Sequence, residues 1–208
     1  MRPQPLNLSP KITSLLFISI LFLTNLAYAI DLSSRYQAHI RMGMFSGNYA
    51  GSGVETRAWS VPTTLDAELE VFINRAKSFN LRATMAMELS TNKVNYTYAG
   101  VGQTYYFLSR GKKELKSEKL VQISNVPKWR YFWGWNAGIA QVLTIDYGLI
   151  LGTYSTTLDV SGNIGTIYQL GENFGLEARM GMGMGYGFST VTVTGTTMRV
   201  LFGTTYYF

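Results

Sequence analysis

The sequence predicts an all-β fold, an eight-stranded antiparallel up-and-down transmembrane β-barrel. Three observations lead there. After about residue 34, apolar and polar residues alternate with a period of two along nearly the whole chain, which is the mark of strands with two unlike faces. The N-terminus reads as an export signal. The last strand is amphipathic and closes on an aromatic residue, Phe208.

Residues 1–29 are expected to be a cleaved signal peptide. Arg2 and Lys11 supply positive charge, Ile12 to Leu26 an apolar run, and Ala27-Tyr28-Ala29 an A-x-A cleavage site. Thr13, Ser14, Ser19 and Asn25 interrupt the run, whereas a membrane-spanning helix needs about 20 mainly apolar residues. Residues 30–208 are then the barrel domain.

The first strand sets Tyr36, Ala38, Ile40, Met42 and Met44 against Arg35, Gln37, His39 and Arg41. The second sets Leu65, Ala67, Leu69, Val71 and Ile73 against Asp66, Glu68 and Glu70, and the third Phe79 to Leu89 against Asn80, Arg82, Thr84 and Glu88. The fourth opposes Thr97, Ala99, Val101, Gln103, Tyr105 and Phe107 to Tyr98, Gly100, Gly102 and Thr104. In the fifth, Tyr131, Trp133, Trp135, Ala137 and Ile139 oppose Gly134, Asn136, Gly138 and Ala140. The sixth runs from Leu158 to Leu170 against Asp159, Ser161, Asn163 and Gln169. The seventh runs from Phe174 to Tyr186, against Glu177, Arg179 and the glycines at 181, 183, 185 and 187. In the last, Met198, Val200, Phe202, Tyr206 and Phe208 oppose Arg199, Gly203 and Thr205. Each has the roughly 9–11 residues that a tilted strand needs to cross a bilayer.

An internal repeat supports the count. Gly102-Gln103-Thr104-Tyr105-Tyr106-Phe107 closes the fourth strand and Gly203-Thr204-Thr205-Tyr206-Tyr207-Phe208 closes the eighth. In an up-and-down barrel both Tyr-Tyr-Phe groups fall at one end, where an aromatic girdle belongs. A water-soluble barrel would turn the same pattern inside out. Continuous apolar sets, aromatics at strand ends and the glycines of the seventh strand favour an apolar exterior.

On these features the chain resembles the small bacterial outer-membrane barrels of the OmpA-barrel and OmpX type over residues 34–208. The resemblance implies an outer-membrane location and contact with outer-membrane lipids including lipopolysaccharide. It also implies assembly through the C-terminal strand by the barrel-assembly machinery, a monomer, and a possible surface ligand at the outer loops. The sequence ends with the barrel, without the peptidoglycan-binding domain of full-length OmpA-like proteins.

Charge and composition narrow the function. Cysteine is absent, which excludes disulfides and thiolate metal sites. Arg2 and Lys11 aside, 16 Lys and Arg face 12 Asp and Glu, and residues 110–130 alone hold seven bases and two acids. With the excess so localised, a nucleic-acid partner is not expected. That stretch is expected as a long, solvated periplasmic turn, with a short helical turn around Leu115 to Val121.

The charges assigned to the lumen (Arg35, Arg41, Asp66, Glu68, Glu70, Arg82, Glu88, Glu177, Arg179 and Arg199) alternate in sign between neighbouring strands and can pair across them. Eight strands leave an interior just wide enough for side chains, so a plugged lumen with a structural or surface-interaction role is expected. The alternative is a narrow channel for small or apolar solutes, as in OmpW-like barrels, with water beside the glycine-rich strands. The single histidine, His39, faces the lumen with no serine in an obvious partner position, so no catalytic residues, cofactor or metal site are assigned. Gly181 to Gly187 alternates with methionine inside a strand, unlike a phosphate loop. Two outer loops are expected: Ser46 to Pro62, offering Tyr49 and Trp59, and Val142 to Thr157. The second, with Tyr147, Leu149-Ile150-Leu151 and Tyr154, is either a β-ribbon or a docking edge.

Overall fold

The computed structural model describes residues 36–51, 54–90, 93–108, 114–118, 121–125, 127–146, 152–188 and 192–208. The signal peptide expected at 1–29, Arg35, Tyr147 and Leu149 to Leu151 lie outside these residues. Eight strands close into an antiparallel barrel: β1 (Tyr36–Gly51), β2 (Val54–Phe72), β3 (Lys77–Glu88), β4 (Lys93–Phe107), β7 (Trp129–Asp146), β8 (Gly152–Gln169), β9 (Phe174–Phe188) and β10 (Thr192–Tyr207). Each pairs with its neighbours in sequence and β10 closes on β1, except that a separate two-stranded hairpin, β5 (Glu114–Glu118) and β6 (Val121–Asn125), is inserted between β4 and β7.

The register fixes the barrel's shape. A ladder leaving β1 at Gly51 passes through Val193, Gly187, Thr157, Ala140, Tyr98, Thr84 and Asp66 and returns to β1 at Arg41, ten residues away. Ten residues of stagger over eight strands tilt the strands by about 40°. The barrel leaves no sheet edge open, so each of its eight strands pairs on both sides.

The face assignments hold on every strand. Met182 and Met184 are 69% and 70% exposed, and Ile40, Met42, Leu81, Ile139, Leu158, Val160, Ile164 and Phe202 also point outward, whereas Arg41 is 0% exposed. A soluble protein reverses this distribution. At the Tyr-Tyr-Phe end, outward aromatics pack in pairs: Tyr105 on Trp133 with ring centres 4.6 Å apart, and Trp129 on Tyr168 at 4.7 Å. Lys77 lies over the Tyr105 ring and Lys128 over Tyr168, the arrangement of an interfacial belt. From Phe174 to Tyr186, outward aromatics bracket the apolar band of β9 at a spacing of about 30 Å along the barrel axis.

Three expectations are corrected, and one of two alternatives is met. Ser46 to Pro62 is not a loop: β1 runs to Gly51 and β2 starts at Val54. Tyr49 is buried inside the barrel, and Trp59 is half-buried, stacked on Phe45. Val142 to Thr157, expected as either a β-ribbon or a docking edge, does continue both strands as a ribbon, with β7 reaching Asp146 and β8 starting at Gly152. Residues 114–118 and 121–125 pair as the strands β5 and β6 where a helical turn around Leu115 to Val121 was expected, and no helix occurs among the described residues. Finally, the Tyr-Tyr-Phe groups are not girdle throughout: Tyr106 and Tyr207 point into the barrel and are buried.

Candidate functional site

The lumen holds three layers. At its centre is an ion-pair network built by neighbouring strands. Arg41 is the direct ladder partner of Asp66 on β2 and of Gly203 on β10, and Gly203 in turn faces Glu177 on β9. Because glycine has no side chain, Arg41 reaches over β10 to Glu177. Its Nη1 donates to both carboxylate oxygens at 2.9 and 3.1 Å, while Nε donates to Asp66 Oδ1 at 2.7 Å and Nη2 to Glu68 Oε2 at 2.9 Å.

Arg179 grips Glu68 with both terminal nitrogens, at 2.6 and 3.1 Å, and donates from Nε to Glu177 at 2.8 Å. Arg82 Nε and the Thr84 hydroxyl both donate to Asp66 Oδ2 at 2.6 Å. All these groups are buried. A buried charge missing its partner costs several kcal/mol, so three arginines against Asp66, Glu68 and Glu177 form a unit that tolerates no vacancy.

His39 belongs to this unit rather than merely filling space. Its Nδ1 lies 2.6 Å from Glu177 Oε2 and its Nε2 lies 3.0 Å from Glu70 Oε2. A neutral imidazole can donate to only one of them. Glu70 also accepts from Ser78 and, at 2.7 Å, from the Tyr106 hydroxyl. Ser78 therefore donates to a carboxylate and does not touch His39, so no serine–histidine pair forms here. Donor atoms of His39, Glu68 and Glu70 lie within 4.8 Å of one another. As a cation site the trio is poor: Glu68 is held by Arg41 and Arg179, and Glu70 by Ser78 and Tyr106.

A buried, largely aromatic cluster lies toward each end of the lumen. Toward the Tyr-Tyr-Phe end, Phe72, Tyr106, Phe132, Ile167 and Tyr207 form one buried cluster. Arg130 stands on it, 4.7 Å over the Tyr207 ring, bonded to Gln37 and Gln169 at 3.2 Å and to the Tyr207 hydroxyl. The sequence groups Arg130 with the basic turn; the structure makes it a lumen residue. At the far end Phe45, Tyr49, Tyr96, Tyr98 and Val142 cluster with Trp59. Beneath them Asp159 accepts from Tyr96 at 2.8 Å, Tyr49 at 3.4 Å and Thr157 at 2.6 Å.

Midway along the opposite wall, between Arg130 and Asp159, a chain of amides takes the place of ion pairs. Asn163 donates to Asn136 at 3.1 Å, Asn136 to Asn80 at 2.5 Å, and Asn80 to the Thr104 hydroxyl at 3.0 Å. Side chains from adjacent strands lie over the glycines of β9 and over Gly165. A Cβ on Gly181 would meet Arg199 Nε at 2.9 Å, and one on Gly183 would meet Thr197 and Ser161; Asp159 covers Gly185 and Phe132 covers Gly165. Neighbouring side chains fill that space.

Of the charges assigned to the lumen, Arg41, Asp66, Glu68, Glu70, Arg82, Glu177 and Arg179 meet in the central layer. Glu88 does not: it sits half-buried at the end of β3, accepting from Ser90 at 3.1 Å. Arg199 points inward but stands apart from the central carboxylates. Arg130, Tyr106, Tyr207 and the full role of His39 were missed, although strand parity already placed all of them inward.

An antiparallel eight-stranded barrel with an apolar exterior and a polar, packed interior defines the class of small transmembrane β-barrels. No known family profile and no curated protein matches the chain. Among solved structures, that of Neisserial surface protein A aligns with 85% of this chain and 98% of its own, with a TM-score of 0.52 and 12% identity. The chain thus has the fold of the small eight-stranded outer-membrane barrels. The Escherichia coli outer membrane protease OmpT aligns over 84% of this chain and 97% of its own, at TM-score 0.45 and 10% identity. The N-terminal barrel domain of Pseudomonas aeruginosa OprF covers 81% and 97%, at TM-score 0.44 and 10% identity.

Proposed function

We propose that this protein is a non-conducting barrel of the bacterial outer membrane, whose lumen is a structural core and whose activity lies at its surface. The observation that carries the reading is the layered lumen, with ion pairs at the centre and a buried aromatic cluster toward each end. The outward apolar face supports insertion in a bilayer, and the aromatic belt with its lysines fits a membrane interface. Strands of 12 to 19 residues exceed the roughly 9–11 that span a bilayer, so part of the barrel stands clear of the membrane. Those overhanging strands, with their connections, are where a surface ligand would bind. Lipids including lipopolysaccharide would surround the apolar band, and β10 would carry the contact with the assembly machinery. Within the lumen His39 meets only carboxylates, which favours a role other than catalysis.

Planar-bilayer conductance of the refolded protein tests this reading, with folding verified by heat-modifiable gel migration. A folded wild-type barrel is expected to be silent. Discrete current steps that change in Arg41→Ala would overturn the plugged lumen and establish the narrow channel instead.

A further inference from the structure

We propose that the lumen contains a buried binding site for a small univalent anion of the halide class, between Arg82 and Arg199. Arg199, 2% exposed, extends from β10 across Gly181 and donates from Nη2 to the Ser161 hydroxyl. Its Nε has no partner, and among the described residues no carboxylate lies within ion-pair distance of it. Arg82, 1% exposed, uses Nε on Asp66 and Nη1 on Asn136 Oδ1 at 3.4 Å, leaving Nη2 without a partner.

The two guanidinium groups are neighbours. Asn136 and Ser161, which they respectively contact, are directly opposed in the β7–β8 ladder. A third donor completes the group. The Tyr98 hydroxyl is buried without a partner and folds over Gly100, which is the ladder partner of Arg82. Gly100 in turn faces Gly138, so this part of the wall carries no side chains of its own.

Two cations side by side in a low-dielectric interior repel, and each unpaired buried donor is costly. An anion accepting from Arg82 Nη2, Arg199 Nε and Tyr98 Oη removes both penalties at once. The charge it should carry follows from its surroundings. Asp66 already holds Arg82, and Asp159 lies two residues from Ser161 with its oxygens taken by Tyr96, Tyr49 and Thr157. One negative charge fits there better than two. Aromatic layers at both ends imply that the ion is captured during folding and exchanges slowly. The site rests on the barrel's interior alone and does not depend on whether the barrel conducts.

The test is to refold the full chain from urea into detergent in sodium bromide, chloride or gluconate at one ionic strength. A crystal of the bromide form is expected to show an anomalous peak between Arg82 and Arg199. An ordered water there, or the Asp159 carboxylate turned onto Arg199, would overturn the proposal. In solution the urea midpoint is expected to be higher in bromide and chloride than in gluconate. That difference should disappear in Arg199→Gln and shrink in Tyr98→Phe, which keeps the ring packing if the arginine variant does not fold. Equal midpoints for the wild type in all three salts, or an undiminished halide effect in Tyr98→Phe, would also refute it.

Discussion

The two sides of the lumen solve one problem differently. On β1, β2 and β9 the inward face is charged, and arginines bridge carboxylates from several strands. At the same level on β4, β7 and β8, between Arg130 and Asp159, the inward face is mainly asparagine and glycine, and the amides form a chain in which one donor meets the next acceptor. An amide carries both donor and acceptor, so a row of them satisfies itself. A guanidinium donates only, and needs a carboxylate placed by another strand. The charged side is therefore strong but intolerant of single changes, while the amide side is weaker and should lose stability in smaller steps. Glycine serves both sides by clearing room: Gly203 lets Arg41 reach Glu177, and Gly181 makes space for Arg199.

Changes on the charged side should be the most damaging. Arg41→Ala leaves Asp66, Glu68 and Glu177 with Arg82 and Arg179 alone, and should cost about 3–5 kcal/mol, measured as a loss of urea midpoint in heat-modifiable gels. An equally large loss from Asn136→Ala would erase the contrast between the two sides.

A lysine at Met180, midway between Phe174 and Tyr186 on the outward face of β9, should cost about 2–4 kcal/mol in lipid vesicles. The comparison variant is Ser46→Lys, well along β1 toward the far end, which should cost about 1 kcal/mol or less. Equal costs at both positions would remove the assigned lipid band.

Asn136→Ala breaks the amide chain between Asn80 and Asn163 and should cost about 1–3 kcal/mol by leaving buried groups unpaired. Among the changes inside the lumen, the smallest effect is expected from Tyr106→Phe, which keeps the ring in its aromatic cluster but removes the hydroxyl from Glu70. About 1–2 kcal/mol is expected by the same denaturation assay, since the lost acceptor is charged. A cost near zero would show that Ser78 and His39 satisfy Glu70 without it.

Inside the lipid band the fold is almost fully legible in sequence, because only there do the two faces differ in polarity. Toward its far edge and beyond, outward residues such as Ser46, Asn48, Ser60 and Thr196 are polar like the inward ones, and alternation fades. That is why Ser46 to Pro62 reads as a loop although both strands continue. The β5–β6 hairpin is hidden for the same reason: its residues, Glu114 to Glu118 and Val121 to Asn125, give no long apolar stripe. Tyr106 and Tyr207 teach a different lesson. Grouped as a motif they suggest a girdle, yet their parity with Thr104 and Thr205 places them inside. For Arg199 the facing was legible and the isolation was not. Sign alternation predicts which strands can pair, but the reach of a side chain across a glycine is set by register and tilt.

The account rests on the charged core being an energetically coupled unit, and a double-mutant cycle on Arg41 and Glu177 tests that most directly. Arg41→Met, Glu177→Gln and the double variant would be refolded and their urea midpoints compared, giving the coupling between two residues 136 positions apart in sequence. The account predicts a favourable coupling of about 1–3 kcal/mol, with the double variant far less damaged than the two single costs combined. Strictly additive costs would mean that Arg41 and Glu177 do not act on each other, and that the lumen is not the ionic core described.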